Sequence, residues 1–308
     1  MKKTTIFSLA LVLVAVLTLT LAFSLAFAPA GRGEIKEIIG SLPNDGRTVM
    51  YTLLLPAKAN DKHGFVVINH GHGGGREEGG GLTRIAQTLA EAGYGSIRMD
   101  FAGSNQSPDP FTQNVLSLMV SDSNACLNYV LDKYPVYKDK LAILGYSMGG
   151  RVAAHILNEG TSPYKALILI AGSVDNGTDM INLFLGGEEA RQALEDQAAD
   201  KGYADYYTPW GSHQQLSKEW FAEMHQSDPM ENLGFSLPAL VIYSEEDTIV
   251  PGDVAQQAIA RMEEAGSPVQ ALQLEGADHS YGFHGNHPEI FTQLQEGIVD
   301  FLDAAFEQ

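Results

Sequence analysis

Ser147 stands in the run Gly145-Tyr146-Ser147-Met148-Gly149, which has the form Gly-x-Ser-x-Gly. That spacing suits a serine on a strained strand-to-helix turn. Glycines two residues to either side remove the side chains that would collide there. The pattern alone is weak in a chain with 32 glycines. Its setting sharpens it, because residues 141–145 read as an apolar strand and residues 150–157 as a helix. A serine hydroxyl is a poor nucleophile until a base takes its proton, and nine histidines are available. His279, in Gly276-Ala277-Asp278-His279-Ser280, falls on a loop between the last core strand and the final helix. His284 and His287 share that loop and compete with it, whereas His155 falls inside a helix and reads as a packed or surface residue. A carboxylate must then hold the imidazole in one tautomer and stabilise its cation. Asp247 follows an apolar strand and precedes Thr248-Ile249-Val250-Pro251, with Glu245 and Glu246 as rivals.

Acyl chemistry also needs N–H donors for a tetrahedral oxyanion. His70-Gly71-His72-Gly73-Gly74-Gly75 follows a strand ending at Asn69, and its glycines let the backbone approach a ligand. The amides of His72 and Met148 are the expected donors. A metal reading of His70 and His72 finds no matching carboxylate or cysteine cluster nearby in sequence, so no metal is assigned. A phosphate cradle is excluded too: there is no Gly-Lys-Ser/Thr and no Gly-x-Gly-x-x-Gly opening a helix after the first strand. A serine, histidine and aspartate suffice together, so no cofactor is implied.

The elements that must position these groups alternate along the chain. Residues 34–42 and 48–55 flank Pro43-Asn44-Asp45-Gly46, a hairpin signature. Short β-rich runs follow at 65–69, 95–101, 141–146 and 166–171, and later at 239–244 and 271–274. Leu82, Ile85, Ala86 and Leu89 keep one helical face, as do Met119, Cys126, Val130 and Tyr134. A last helix starts at Pro288 and turns Ile290, Phe291, Leu294, Ile298 and Phe301 inward. The expected fold is α/β, a mostly parallel central sheet with helices on both faces. One stretch breaks the rhythm. Residues 174–233 are acidic and helix-prone, too many for a loop and too few for a domain. They read as an inserted helical lid carrying Tyr203, Tyr206, Tyr207, Trp210, Trp220 and Phe221, and with them both tryptophans of the chain. Tyr206, Tyr207, Trp210 and Trp220 are candidates to stack on an aromatic acyl group; ordinary packing of lid on core is the alternative.

Acidic residues number 38 against 19 basic, a net charge of -19. That balance excludes a nucleic-acid backbone or an anionic membrane surface as the main partner, leaving a small-molecule ester as the expected one. Cys126 is the only cysteine, which rules out an intrachain disulfide. Residues 1–30 open with Lys2 and Lys3, continue as an apolar run over 6–28 and carry small residues at Ala26, Ala28 and Ala30. They read as an export signal. The run is also long enough to span a bilayer, so an uncleaved membrane anchor is the alternative. On either reading residues 31–308, the catalytic domain, lie outside the cytoplasm.

Residues 46–306 resemble the α/β-hydrolases and, within them, are most like the cinnamoyl (feruloyl) esterase group. The matching pieces are His70-Gly71-His72, Arg98-Met99-Asp100-Phe101 with Gly103 and Ser107, and Gly145-Tyr146-Ser147-Met148-Gly149-Gly150. Glu246-Asp247-Thr248-Ile249-Val250-Pro251 and Gly276-Ala277-Asp278-His279 complete them. The chain order Ser147, Asp247, His279 is the order of that fold. The resemblance implies that Asp247 is the triad acid, His279 the base and His72 an oxyanion donor. Three positions depart from the pattern. Gly103-Ser104-Asn105-Gln106-Ser107 replaces Gly-x-Gly-x-Ser, Tyr146 stands where His is common, and Ser244 where Gly is common. None removes a triad member, so they bear on substrate preference. Rival readings keep the same triad: an acylglycerol lipase, or a serine peptidase or aminopeptidase whose charged pocket Glu188, Glu189 and Asp205 would supply. A non-catalytic binding protein of this fold predicts a missing triad member, and none is missing.

Overall fold

Strands β1 (Lys36–Asn44) and β2 (Arg47–Leu55) pair as a hairpin whose turn is Asp45-Gly46 alone. Both turn residues have positive φ, 48° and 81°, as the twist of a two-residue hairpin turn demands. Pro43 and Asn44, expected in the turn, pair instead with Thr48 and Arg47. This is possible because β1 is an edge strand, where a residue without an N–H is tolerated. The architecture comes from a computed structural model that describes residues 34–57, 63–158, 160 and 162–307. The leader at residues 1–30 lies outside the described residues.

The remaining core strands are β3 (His63–Asn69), β4 (Gly95–Met99), β5 (Val136–Tyr146), β6 (Ala166–Ile170), β9 (Ala239–Tyr243) and β10 (Val269–Gln273). They join the hairpin in one eight-stranded sheet of order β1-β2-β4-β3-β5-β6-β9-β10. Only β2 runs against its neighbours; from β4 onward every pairing is parallel. Every residue of β3, β4 and β6 is buried, which explains the unbroken apolar sequence of β6 and of residues 65–68 in β3. Helices α1 (Gly81–Glu91) and α8 (Pro288–Phe306) pack together, as do α2 (Leu116–Lys133) and α3 (Met148–Asn158), and the two faces of the sheet are covered. The stripes foreseen in sequence face inward: Leu82, Ile85 and Leu89 on α1, and Ile290, Leu294 and Ile298 on α8. Helix α7 (Gly252–Glu264) returns the chain from β9 to β10. Because these strands are parallel, the loops after β3, β5, β9 and β10 all leave from one edge, where α/β sheets bind ligands.

Between β6 and β9 the insertion folds as α4 (Gly177–Leu185), α5 (Glu188–Lys201), β7 (Tyr203–Tyr207), β8 (His213–Ser217) and α6 (Lys218–Gln226). The hairpin of β7 and β8 corrects the all-helical expectation. Its cause is the period of the first aromatic cluster. Ala204 and Tyr206 turn inward while Tyr203, Asp205 and Tyr207 do not, an alternation of two and not a helical stripe. Arg151, fully buried on α3, ties the insertion down. Its guanidinium donates to the carbonyl and Oγ of Ser227 and to the carbonyl and carboxylate of Asp175.

Candidate active site

Ser147 lies between the last residue of β5 and the first of α3, with φ of 51°. A side chain other than glycine is strained there, and the strain aims Oγ outward. The flanking glycines follow from contact. A Cβ on Gly145 would stand 2.2 Å from the Gly149 carbonyl oxygen, and one on Gly149 2.2 Å from that of Asn69. The Ser147 hydroxyl faces Nε2 of His279 at 3.1 Å, and Nδ1 of His279 donates to Oδ2 of Asp247 at 2.8 Å. Asp247 is buried and its other oxygen accepts the amides of Ile249 and Val250, at 2.9 and 3.0 Å. The acid is therefore held by the short turn that leads into Pro251. The Tyr281 hydroxyl also points at Oδ2, at 3.4 Å.

The rivals are occupied elsewhere. Glu246 caps its own loop, accepting from Ser244 Oγ and the Gly276 amide, while Glu245 accepts from Gln256. His287 pairs with Glu289, and His155 bonds the Ser227 hydroxyl. His284 lines the same cavity as His279, but its ring lies against Gly79. The departures in sequence also find reasons. Tyr146 donates its hydroxyl to the His279 carbonyl at 2.7 Å, bracing the loop of His279. Ser244 closes the Glu246 turn beneath the acid. In the Gly103–Ser107 segment, the Asn105 side chain and the Gln106 amide donate to Asp100.

That aspartate anchors the glycine-rich loop after β3. Buried Asp100 accepts both the amide and the guanidinium of buried Arg76. At the loop's other end, Nε2 of His70 accepts the Phe101 amide and Nδ1 bonds the Gly71 carbonyl, so both ring nitrogens are engaged. Burial lowers the His70 imidazole to about 4 and keeps it neutral. Among the described residues, neither the His72 nor the Met148 amide donates to another group. Met148 opens α3, where an amide has no carbonyl one turn earlier. Gly71 brings the loop to the serine: a Cβ placed on it would be 3.4 Å from Cβ of Ser147.

A cavity of about 440 Å³ opens over these groups. One wall is the loop from Gly71 to Gly74 with Glu78, Ser280 and His284; the other is apolar, with Met180, Phe184, Trp210, Ile249 and Val250. Of the four lid aromatics singled out in sequence, only Trp210 lines it. Tyr206 is a layer back, its hydroxyl donating to the Phe184 carbonyl at 3.0 Å. Tyr207, the next residue on β7, points the opposite way, 69% exposed and stacked on His213. Trp220 is buried with its ring edge-on to His72, 5.7 Å between centroids. Glu188 and Glu189 are exposed at the start of α5 and Asp205 pairs with His213, so none of the three reaches the cavity.

Sequence reasoning missed Met180, Phe184 and Glu78. Glu78 has φ of 42° and its carboxylate accepts the Gly71 amide at 3.2 Å. Burial pushes this carboxyl up to about 7 against the pull of the loop amides. Its one signal in sequence was its place just beyond the glycine run.

Known proteins share this fold. Residues 81–308 match the model of the prolyl oligopeptidase family, a span that begins after the glycine-rich loop. Est1E of Butyrivibrio proteoclasticus, solved with ferulic acid bound, superposes with a TM-score of 0.73 at 17% identity, over 87% of this chain and 100% of that one. A puromycin-hydrolyzing peptidase of Mycobacterium tuberculosis superposes at 0.67 and 17% identity over 91% of this chain, which spans 40% of that protein. In sequence, a 2-hydroxy-6-oxononadienedioate/2-hydroxy-6-oxononatrienedioate hydrolase of Dechloromonas aromatica is 28% identical over 229 residues, 65% of this chain and 76% of that protein. The fold is that of the α/β-hydrolases, and the chain belongs to the prolyl oligopeptidase family.

Proposed function

We propose that this hydrolase is an exported serine esterase that cleaves carboxylic esters through an acyl-enzyme on Ser147. The observation that carries the reading is the unbroken relay from Asp247 through His279 to the Ser147 hydroxyl, at 2.8 and 3.1 Å, on the cavity floor. His279 takes the serine proton as Oγ attacks the ester carbonyl. The oxyanion rests on the amides of His72 and Met148, and Asp247 stabilises the imidazolium. Collapse expels the alcohol, protonated by His279. Water, deprotonated by the same imidazole, then releases the acid and restores the serine.

The apolar wall of Met180, Phe184 and Trp210 suits an aryl or short acyl group. Ferulic acid bound to Est1E supports a hydroxycinnamoyl-type ester as the first candidate. The family match favours amide bonds as a second reading. Ser147→Ala is expected to lower kcat on a small aryl ester by about 10⁴-fold or more and to abolish labelling by a fluorophosphonate. Retained turnover in that variant would refute the assignment. Rates on methyl ferulate, short aliphatic esters, a monoacylglycerol and an aminoacyl anilide separate esterase from lipase and peptidase. Export rests on the leader sequence alone; the N-terminal residue of the protein recovered from its native host tests it.

A further inference from the structure

Among the described residues, the lid meets the proposed oxyanion hole through a single polar side chain. Gln214, the second residue of β8, is 2% exposed. Its Oε1 accepts from Nε2 of His72 at 2.8 Å. Its amide nitrogen lies over Gly73, where an added Cβ would come within 2.2 Å of it. Gly73 itself holds φ of 61°, a conformation that favours glycine there. The rest of the His72 ring is boxed by aromatic edges. Phe111, Phe184 and Trp220 stand 5.7, 5.0 and 5.7 Å from it between centroids, and the last two belong to the lid. Nδ1 of His72 is buried with no partner among the described residues, so the bond to Gln214 is the ring's one polar anchor.

We propose that Gln214 is a positioning residue for the oxyanion hole. By holding the His72 side chain and covering Gly73, it sets the peptide plane whose N–H faces the adduct on Ser147, so the hole is complete only when the lid hairpin is seated. The physical reason is that a backbone donor works only where it is aimed. The loop is tied at its ends by His70 and Arg76, and the Gly71 amide on Glu78 and the Gly74 amide on the Gly71 carbonyl hold its turn; between Gly71 and Gly74, His72 supplies the one side chain that the lid grips. A handle held from the lid links entry of the acyl group, against Phe184 and Trp210, to completion of the donor pair beneath it. Losing one oxyanion donor outright costs about 10²–10³ in kcat; letting it drift should cost less.

The inference rests on the serine-hydrolase reading, and its test separates the two. Gln214→Met keeps the side chain's length and removes the acceptor; Gln214→Glu keeps an acceptor. Two ligands are compared: an aryl boronic acid, which adds to Ser147 and places an oxygen in the hole, and an unreactive ether analogue of the ester. Gln214→Met should lower kcat by roughly 10- to 100-fold with KM changed by no more than about threefold. Boronate affinity should fall by the same factor while affinity for the ether holds. Gln214→Glu should retain most of both. An unchanged kcat, a rise in KM alone, or equal loss of boronate and ether affinity would each overturn the proposal, the last pointing to simple lid packing. If Gln214→Met does not fold, Gln214→Asn, too short to reach His72, gives the same comparison. Absence of fluorophosphonate labelling and of ester hydrolysis in the wild type would overturn the hydrolase reading and this inference together. Labelling of the wild type with intact boronate binding in the variants would overturn this inference alone.

Discussion

The two walls of the cavity are built in different ways. On the core side, each proposed triad member sits on the loop that follows a strand: Ser147 after β5, Asp247 after β9, His279 after β10. Backbone geometry places them, through the positive φ of Ser147, the amides of Ile249 and Val250 on Asp247, and the Tyr146 hydroxyl on the His279 carbonyl. On the lid side, Phe184 and Trp210 are placed by aromatic packing, on a helix and a hairpin turn of the insertion, and Gln214 on β8 is placed by its bond to His72. The difference teaches that the proposed chemistry depends on strand ends, where local backbone constraints fix each group. Selectivity is carried by an insertion whose inward residues depend on its own fold.

That contrast can be strained first at its strongest point. Asp247→Asn keeps the shape of the acid turn but cannot hold the same His279 tautomer; kcat on an aryl ester should drop by about 10³–10⁴ with KM little altered. A loss under tenfold would mean that the acid is not Asp247. Glu78 probes the loop between the walls. Its folded-state pKa of about 7 lies above the ordinary 4.5, so the folded chain holds the proton more tightly than the unfolded one. Its contribution is therefore full below pH 4.5 and is lost as pH rises to 7. Glu78→Gln should leave stability unchanged near pH 4.5 and raise it by on the order of 2 kcal/mol at pH 8. Urea unfolding at both pH values checks this, and an equal offset at both would contradict it. The smallest effect belongs to the lid aromatics. Trp210→Ala should raise KM for an aryl ester about three- to tenfold, while Tyr207→Ala, pointing away, should stay within twofold. Similar losses from both would erase the distinction between the two faces of β7.

Much of the core wall was legible before any coordinates. Gly145 and Gly149 flag Ser147 because only glycine fits beside the Gly149 and Asn69 carbonyls. The strand runs are legible because a fully buried parallel strand needs unbroken apolar sequence, as in residues 166–170. Asp247 and His279 stood out from their neighbours only through resemblance, since spacing alone left Glu245, Glu246, His284 and His287 in play. The lid reads as helical in sequence because its acidic composition masks the alternation of Tyr203 to Tyr207, five residues being too few for a period to declare itself. Glu78 and Gln214 had no pattern to reveal them. A buried carboxyl and a buried amide look in sequence like any surface Glu or Gln, and their burial depends on chain segments far away.

Sequence by itself determined the fold class, the strand-to-helix turn that carries Ser147 and the glycine-rich loop, because each rests on constraints that act within a few residues: strand periodicity, turn strain and close backbone approach. Only the tertiary structure decided which aromatic faces the cavity, which carboxyl is buried beside the serine, and that Gln214, 142 residues from His72, takes hold of its ring. Those outcomes turn on packing between elements remote in the chain, where one residue of register on β7 or β8 moves a side chain from the cavity to solvent.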